Sequence, residues 1–158
     1  MSIFNAAEVI EMGIEKEKIR RDFYGLVAER FDDKDMKDLF TRLRKWEEDH
    51  IKRFGEIKAG ISQTTATDSY KGELADFIRT LIDDKLYRDV SAEDFSARIK
   101  DPITAIQYGI GFEKDAILFF NEMLTATEPV FRKAIHELIK EEKQHIVYLV
   151  QLRDKYEK

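Results

Sequence analysis

Phe40-Thr41-Arg42-Leu43-Arg44-Lys45-Trp46-Glu47-Glu48-Asp49-His50-Ile51-Lys52-Arg53-Phe54 sets a glutamate and a histidine three residues apart within an apolar stripe. Residues 135–149 repeat it: Ile135, Leu138, Glu142, His145, Ile146 and Leu149 fall in register with Phe40, Leu43, Glu47, His50, Ile51 and Phe54. The repeat extends upstream, where Met12-Gly13-Ile14-Glu15-Lys16-Glu17-Lys18 aligns with Tyr108-Gly109-Ile110-Gly111-Phe112-Glu113-Lys114, and Phe23-Tyr24 with Phe119-Phe120. A duplication of this kind predicts two helical hairpins packed against each other.

Apolar residues recur at helical spacing, and 7 Gly and 2 Pro in 158 residues leave few interruptions, so the chain reads as all-α. The first hairpin is expected over 5–59. It opens at Asn5, with Asn5 and Glu8 as a capping box, and its second helix ends at Gly60. The second hairpin is expected over 102–157, with Asp101 as N-cap and Pro102 at the first helical position, and a break at Thr127-Glu128-Pro129. Between them, 61–100 is far longer than an ordinary bundle loop. Residues 62–69 read as a polar loop. Leu74, Phe77, Ile78, Leu81, Ile82 and Leu86 then mark a helical crossover, and a short helix follows from Ser91 with Phe95 and Ile99. The expectation is one domain, 1–158: a four-helix bundle with a long helical crossover between helices 2 and 3.

Side-chain direction separates a functional site from surface charge. At 100° per residue, Glu17 shares its face with Ile10, Gly13, Ile14, Tyr24 and Ala28, and Glu113 with Ile106, Gly109, Ile110, Ile117 and Phe120. Glu47 and Glu142 lie equally within their stripes. Each helix therefore aims one carboxylate at the core, where four uncompensated charges would cost several kcal/mol each. Divalent cations remove that cost. A histidine three residues after a glutamate reaches the same ion from the same face, and an oxygen-rich set with one imidazole per metal suits iron or manganese. The six predicted ligands are Glu17, Glu47, His50, Glu113, Glu142 and His145. A single Glu-x-x-His carries little weight; two in register with two core-facing glutamates carry much more. His136 serves as a control, standing off the Glu142 direction and reading as surface. Tyr24 serves either packing or a hydrogen bond to a ligand carboxylate. Arg20 and Arg21 line the bundle edge or pair with carboxylates, and Trp46 is expected to pack on the crossover.

Composition closes off other functions. The absence of cysteine excludes disulfides, thiol chemistry and iron–sulfur clusters, and a net charge of −5 argues against a nucleic-acid surface. The sequence contains no run apolar enough for a membrane span and no leader pattern, so a soluble cytoplasmic protein is expected. The apolar stripe of the crossover needs a neighbour, and a homodimer is expected to provide it.

Glu17 with Phe23-Tyr24, Glu47-x-x-His50, Glu113 and Glu142-x-x-His145 together resemble the di-iron domain of the rubrerythrin group in the ferritin-like superfamily, over about two-thirds of the chain. The resemblance implies a ferritin-like bundle holding two Fe ions, with Mn as the other candidate. It makes Glu47 and Glu142 bridging or flanking ligands, Glu17 and Glu113 terminal, and gives His50 and His145 one ion each. It implies an oxidoreductase that reduces hydrogen peroxide or dioxygen. Members of the group usually carry a cysteine-rich module that delivers electrons; here a separate electron donor is implied. Ala116 stands where the family places a further carboxylate, which puts redox-linked ligand exchange in doubt. Ferroxidase and iron-handling chemistry, substrate oxygenation, and a scaffold stabilised by metal are the alternatives.

Overall fold

The structure is a computed structural model that describes residues 4–61, 69–70, 80, 94 and 97–158. Four long helices dominate: α1 (Ala6–Arg30), α2 (Lys34–Ile61), α3 (Pro102–Ala126) and α4 (Pro129–Glu157). Twenty-five residues make a rod about 37 Å long, so α1 and α3 each run the length of a small bundle. α1 packs along α2 and α3 along α4, while α1 also faces α3 and α2 faces α4. The predicted four-helix bundle is the observed fold. A short antiparallel ladder ties the start of the chain to the segment after α2, with Phe4 and Asn5 (β1) opposite Tyr70 and Ser69 (β2). Among the described residues, no helix is long and apolar enough to cross a membrane.

Local chemistry sets the helix ends. Asp33 accepts a hydrogen bond from the Met36 amide at 3.0 Å and so caps α2. The Tyr156 hydroxyl donates to the same carboxylate at 2.6 Å, fastening the end of α4 to the α1–α2 turn. Asp101 caps α3 as expected, accepting from the Thr104 amide at 2.9 Å, with Pro102 following. The Thr127 hydroxyl donates to the Met123 carbonyl at 2.8 Å and closes α3 before Pro129 opens α4.

Two expectations are corrected. Gly60 does not end its helix, for α2 continues to Ile61. What Gly60 supplies is room: a Cβ there would lie 2.8 Å from Cζ of Phe131, so the ring of α4 occupies the place of a side chain. Tyr70, expected to begin the crossover helix, lies in β2. The crossover positions Leu74, Phe77, Ile78, Leu81, Ile82, Leu86 and Phe95 lie outside the described residues.

The core divides into two apolar clusters. One includes Ile10, Ile14, Phe54, Ala116, Phe119, Met123, Leu138 and Ile139. The other includes Phe23, Tyr24, Phe40, Leu43, Ile110, Phe112 and Leu149. Along every helix the predicted ligands fall between members of the two: Glu17 between Ile14 and Phe23, Glu47 between Leu43 and Phe54, Glu113 between Phe112 and Ala116, Glu142 between Ile139 and Leu149. The clusters thus seal a polar layer from both ends.

At Gly13 side chains of α3 fill the space beside α1, since a Cβ there would meet Met123 Cε at 2.1 Å and Phe119 Cε1 at 3.3 Å. Gly13→Val should therefore lower unfolding free energy by about 1–3 kcal/mol in denaturant titration through overpacking. An unchanged midpoint would mean that the interface is looser than described.

Candidate metal centre

Each helix contributes to the polar layer: Glu17 from α1, Glu47 and His50 from α2, Glu113 from α3, Glu142 and His145 from α4. His145 is 3% exposed and the other five are at 0%. Their ligand atoms form two overlapping groups, Glu17–Glu47–His50–Glu142 and Glu47–Glu113–Glu142–His145, within each of which one atom per residue lies within 4.8 Å of the rest. Glu47 and Glu142 belong to both, and each group holds one histidine. All six predicted ligands are brought together, and the control His136 is exposed.

These donors point at common centres more than at one another. Glu17 Oε2, both Glu47 oxygens, Glu113 Oε2, Glu142 Oε1 and His50 Nδ1 are buried without a hydrogen-bond partner. His50 Nδ1 and Glu142 Oε1 are only 2.6 Å apart, yet not aligned as donor and acceptor. Orphaned polar atoms at such density are foreign to ordinary protein interiors. The set of carboxylate oxygens with one imidazole nitrogen per group fits two divalent ions of the iron or manganese type.

The surrounding groups hold these donors from outside. Tyr24, buried as its apolar position requires, donates its hydroxyl to Glu113 Oε1 at 2.5 Å. Arg20 is buried inside the bundle and not at its edge, and its guanidinium bonds Glu17 Oε1. Arg21 pairs instead with its neighbour Asp22 at 3.0 Å. While the crossover that Trp46 is expected to pack on lies largely outside the described residues, its ring stacks on His145, centroids 4.9 Å apart and planes 11° from parallel, with Tyr148 stacked 5.6 Å away. One helical step from Glu47, it faces α4 across the α2–α4 seam.

Glu141 was not legible as part of the site. It lies 2.9 Å from His50 Nε2, and Arg53 bonds it in turn. The duplication held the signal: Glu141 and Trp46 each immediately precede the glutamate of a Glu-x-x-His pair, and each supports the histidine of the opposite half. Such outer contacts fix which ring nitrogen faces the centre, here Nδ1 of His50. The buried ion pair Lys16–Asp115, at 3.1 Å between α1 and α3, is a further contact that periodicity did not reveal.

Crowded charge shifts the titrations. Burial pushes Glu17 and Glu113 well above the usual carboxylate range, and neighbouring carboxylates add to it; for Glu17 the two together outweigh the opposing charge of Arg20. Burial opposes the charged form of His145, but contacts with Glu113, Glu142 and Glu47 outweigh it and push the imidazole up to about 12. His50 is raised in the same way, with Glu142 the leading charge against burial. Protons thus share the negative charge when only protein groups are present.

Ligation requires carboxylate and neutral imidazole, so cations entering the layer displace those protons. Because all four groups are raised, proton release accompanies binding at neutral pH and affinity for Mn(II) rises with pH. Calorimetric titration of chelator-treated protein in buffers of different ionisation enthalpy should show net proton release. Binding enthalpies independent of buffer would contradict this arrangement.

The sequence matches no protein-family model and no curated protein. The structure is similar to that of a protein from Thermotoga maritima described as a candidate ferritin-like diiron-carboxylate protein, with a TM-score of 0.71 and 17% identity over 99% of each chain. At that identity the likeness concerns the fold, and the fold of this chain is ferritin-like.

Proposed function

We propose that this protein is a di-metal carboxylate oxidoreductase of rubrerythrin-like type, holding two Fe or Mn ions and reducing hydrogen peroxide or dioxygen with electrons from a separate donor. The observation that carries this reading is the pair of overlapping ligand groups sharing Glu47 and Glu142, which suits two adjacent ions. The description of the Thermotoga maritima protein as a diiron-carboxylate protein agrees with it.

Bound as reduced ions, the metals would supply two electrons and polarise the O–O bond. The protein's own groups do the rest. Glu47 and Glu142 span both positions, and His50 and His145 each face one through Nδ1. Tyr24, raised well above an ordinary tyrosine by burial and then by the charge of Glu113, keeps its proton and donates it in a hydrogen bond to Glu113 Oε1. The two apolar clusters exclude bulk water above and below. At the side, a cavity of about 300 Å³ reaches His145, with Trp46, Tyr148, Arg53 and Glu141 also in its lining. A small polar oxidant suits such an opening. Reduction of peroxide consumes two electrons and two protons and yields two waters, so a reductant has to restore the ions after each turnover.

Glu142 is the shared ligand on α4, and Glu142→Ala should remove an oxygen from both positions. Iron-reconstituted wild type, given peroxide and a chemical reductant, is expected to turn over, with a loss of at least about 100-fold in the variant. Equal rates in the two proteins would assign the activity to metal in solution. Rapid consumption of Fe(II) with dioxygen, without cycling by reductant, would favour the ferroxidase alternative.

A further inference from the structure

The duplication superposes Glu17 on Glu113, and the positions around them break that symmetry in charge. Three residues beyond each glutamate stand Arg20 in one half and Ala116 in the other, both fully buried. Seven residues beyond stand Tyr24 and Phe120. The Tyr24 hydroxyl holds Glu113 Oε1 at 2.5 Å. Phe120 has no hydroxyl with which to return the favour to Glu17. Arg20 lies over the Phe120 ring, 5.8 Å from its centroid, and holds Glu17 Oε1 itself. Each terminal carboxylate therefore has one oxygen bound by the protein and the other, Glu17 Oε2 or Glu113 Oε2, without a hydrogen-bond partner. The holders differ in kind: a neutral hydroxyl for Glu113, a permanent cation for Glu17.

We propose that the two cation positions are unequal and fill in order, with the Glu47–Glu113–Glu142–His145 position binding first and Arg20 weakening the Glu17–Glu47–His50–Glu142 position. The inference rests on reading the centre as a two-ion site. Glu47 and Glu142 serve both positions, so the difference lies in what each position adds. Glu113 adds a full negative charge beside a neutral phenol. Glu17 adds a charge that the adjacent guanidinium cancels, and Arg20 Nε also lies 3.8 Å from Glu47 Oε2. Two further charges among the described residues are matched: Glu141 beside His50 is bonded by Arg53, and Lys16 pairs with Asp115. In an interior without water to screen it, a fixed positive charge a few ångströms from a divalent cation lowers affinity by at least about tenfold.

Arg20 is thus a positioning residue, and metal loading reads its role without reference to turnover. Chelator-treated protein is titrated with Mn(II) by calorimetry and electron paramagnetic resonance. Wild type should bind in two steps at least about tenfold apart, with the resolved signal of an isolated ion after the first and a spin-coupled signal after the second. His145→Ala should abolish the tight step, and His50→Ala should leave it. Arg20→Gln should narrow the gap by tightening the weaker step, while Arg20→Lys keeps it. Simultaneous loading in wild type, loss of the tight step in His50→Ala, or an unchanged gap in Arg20→Gln would overturn the proposal. Should Arg20→Gln fail to fold, the order of loss in the two histidine variants decides. Wild type that binds no Mn(II) would refute the two-ion centre itself, and the order of filling with it.

Discussion

Four carboxylates brought together beyond the reach of water are the constraint on which this structure depends. Glu17, Glu47, Glu113 and Glu142 are all fully buried at one level of the bundle, and an ionised carboxylate in such a place costs several kcal/mol unless something positive answers it. Protons answer part of the charge, as the raised positions of Glu17 and Glu113 show, and Arg20 answers another part. The oxygens left without partners define the remainder, which two divalent cations are suited to meet.

The four helices serve to hold that layer still. Helices of 25 to 29 residues carry the ligands on rigid rods, and apolar clusters on either side stop the rods from sliding. Outer contacts then fix individual atoms: Tyr24 on Glu113, Arg20 on Glu17, Glu141 on His50, and the Trp46 ring on His145. The duplicated backbone gives two similar positions, and the unlike residues placed around them make those positions chemically distinct.

Much of this was legible in the sequence because period and spacing are properties of a helix alone. Glu17 and Glu113 sit at the centres of apolar stripes, and a Glu-x-x-His step of three puts both side chains on one face, so convergence followed from the 100° rule. Gly60 misled, since a glycine after an apolar run reads as a terminus, whereas here the Phe131 ring fills the space a side chain would need. The contacts that Trp46 and Glu141 make with the histidines were not legible for a related reason. Their roles depend on how α2 and α4 approach each other, and a single helix carries no record of its neighbour. Arg20 could be placed near the carboxylates, but its full burial follows from Phe120 and Glu17 meeting across α1 and α3.

Anomalous diffraction from crystals of protein reconstituted with Fe(II) or Mn(II), collected on either side of the metal edge, tests the central claim most directly. The account predicts two peaks about 3.5–4 Å apart, both within reach of Glu47 and Glu142, one beside His50 and the other beside His145. An absence of anomalous density inside the bundle, with the four carboxylates paired to one another through shared protons, would contradict it.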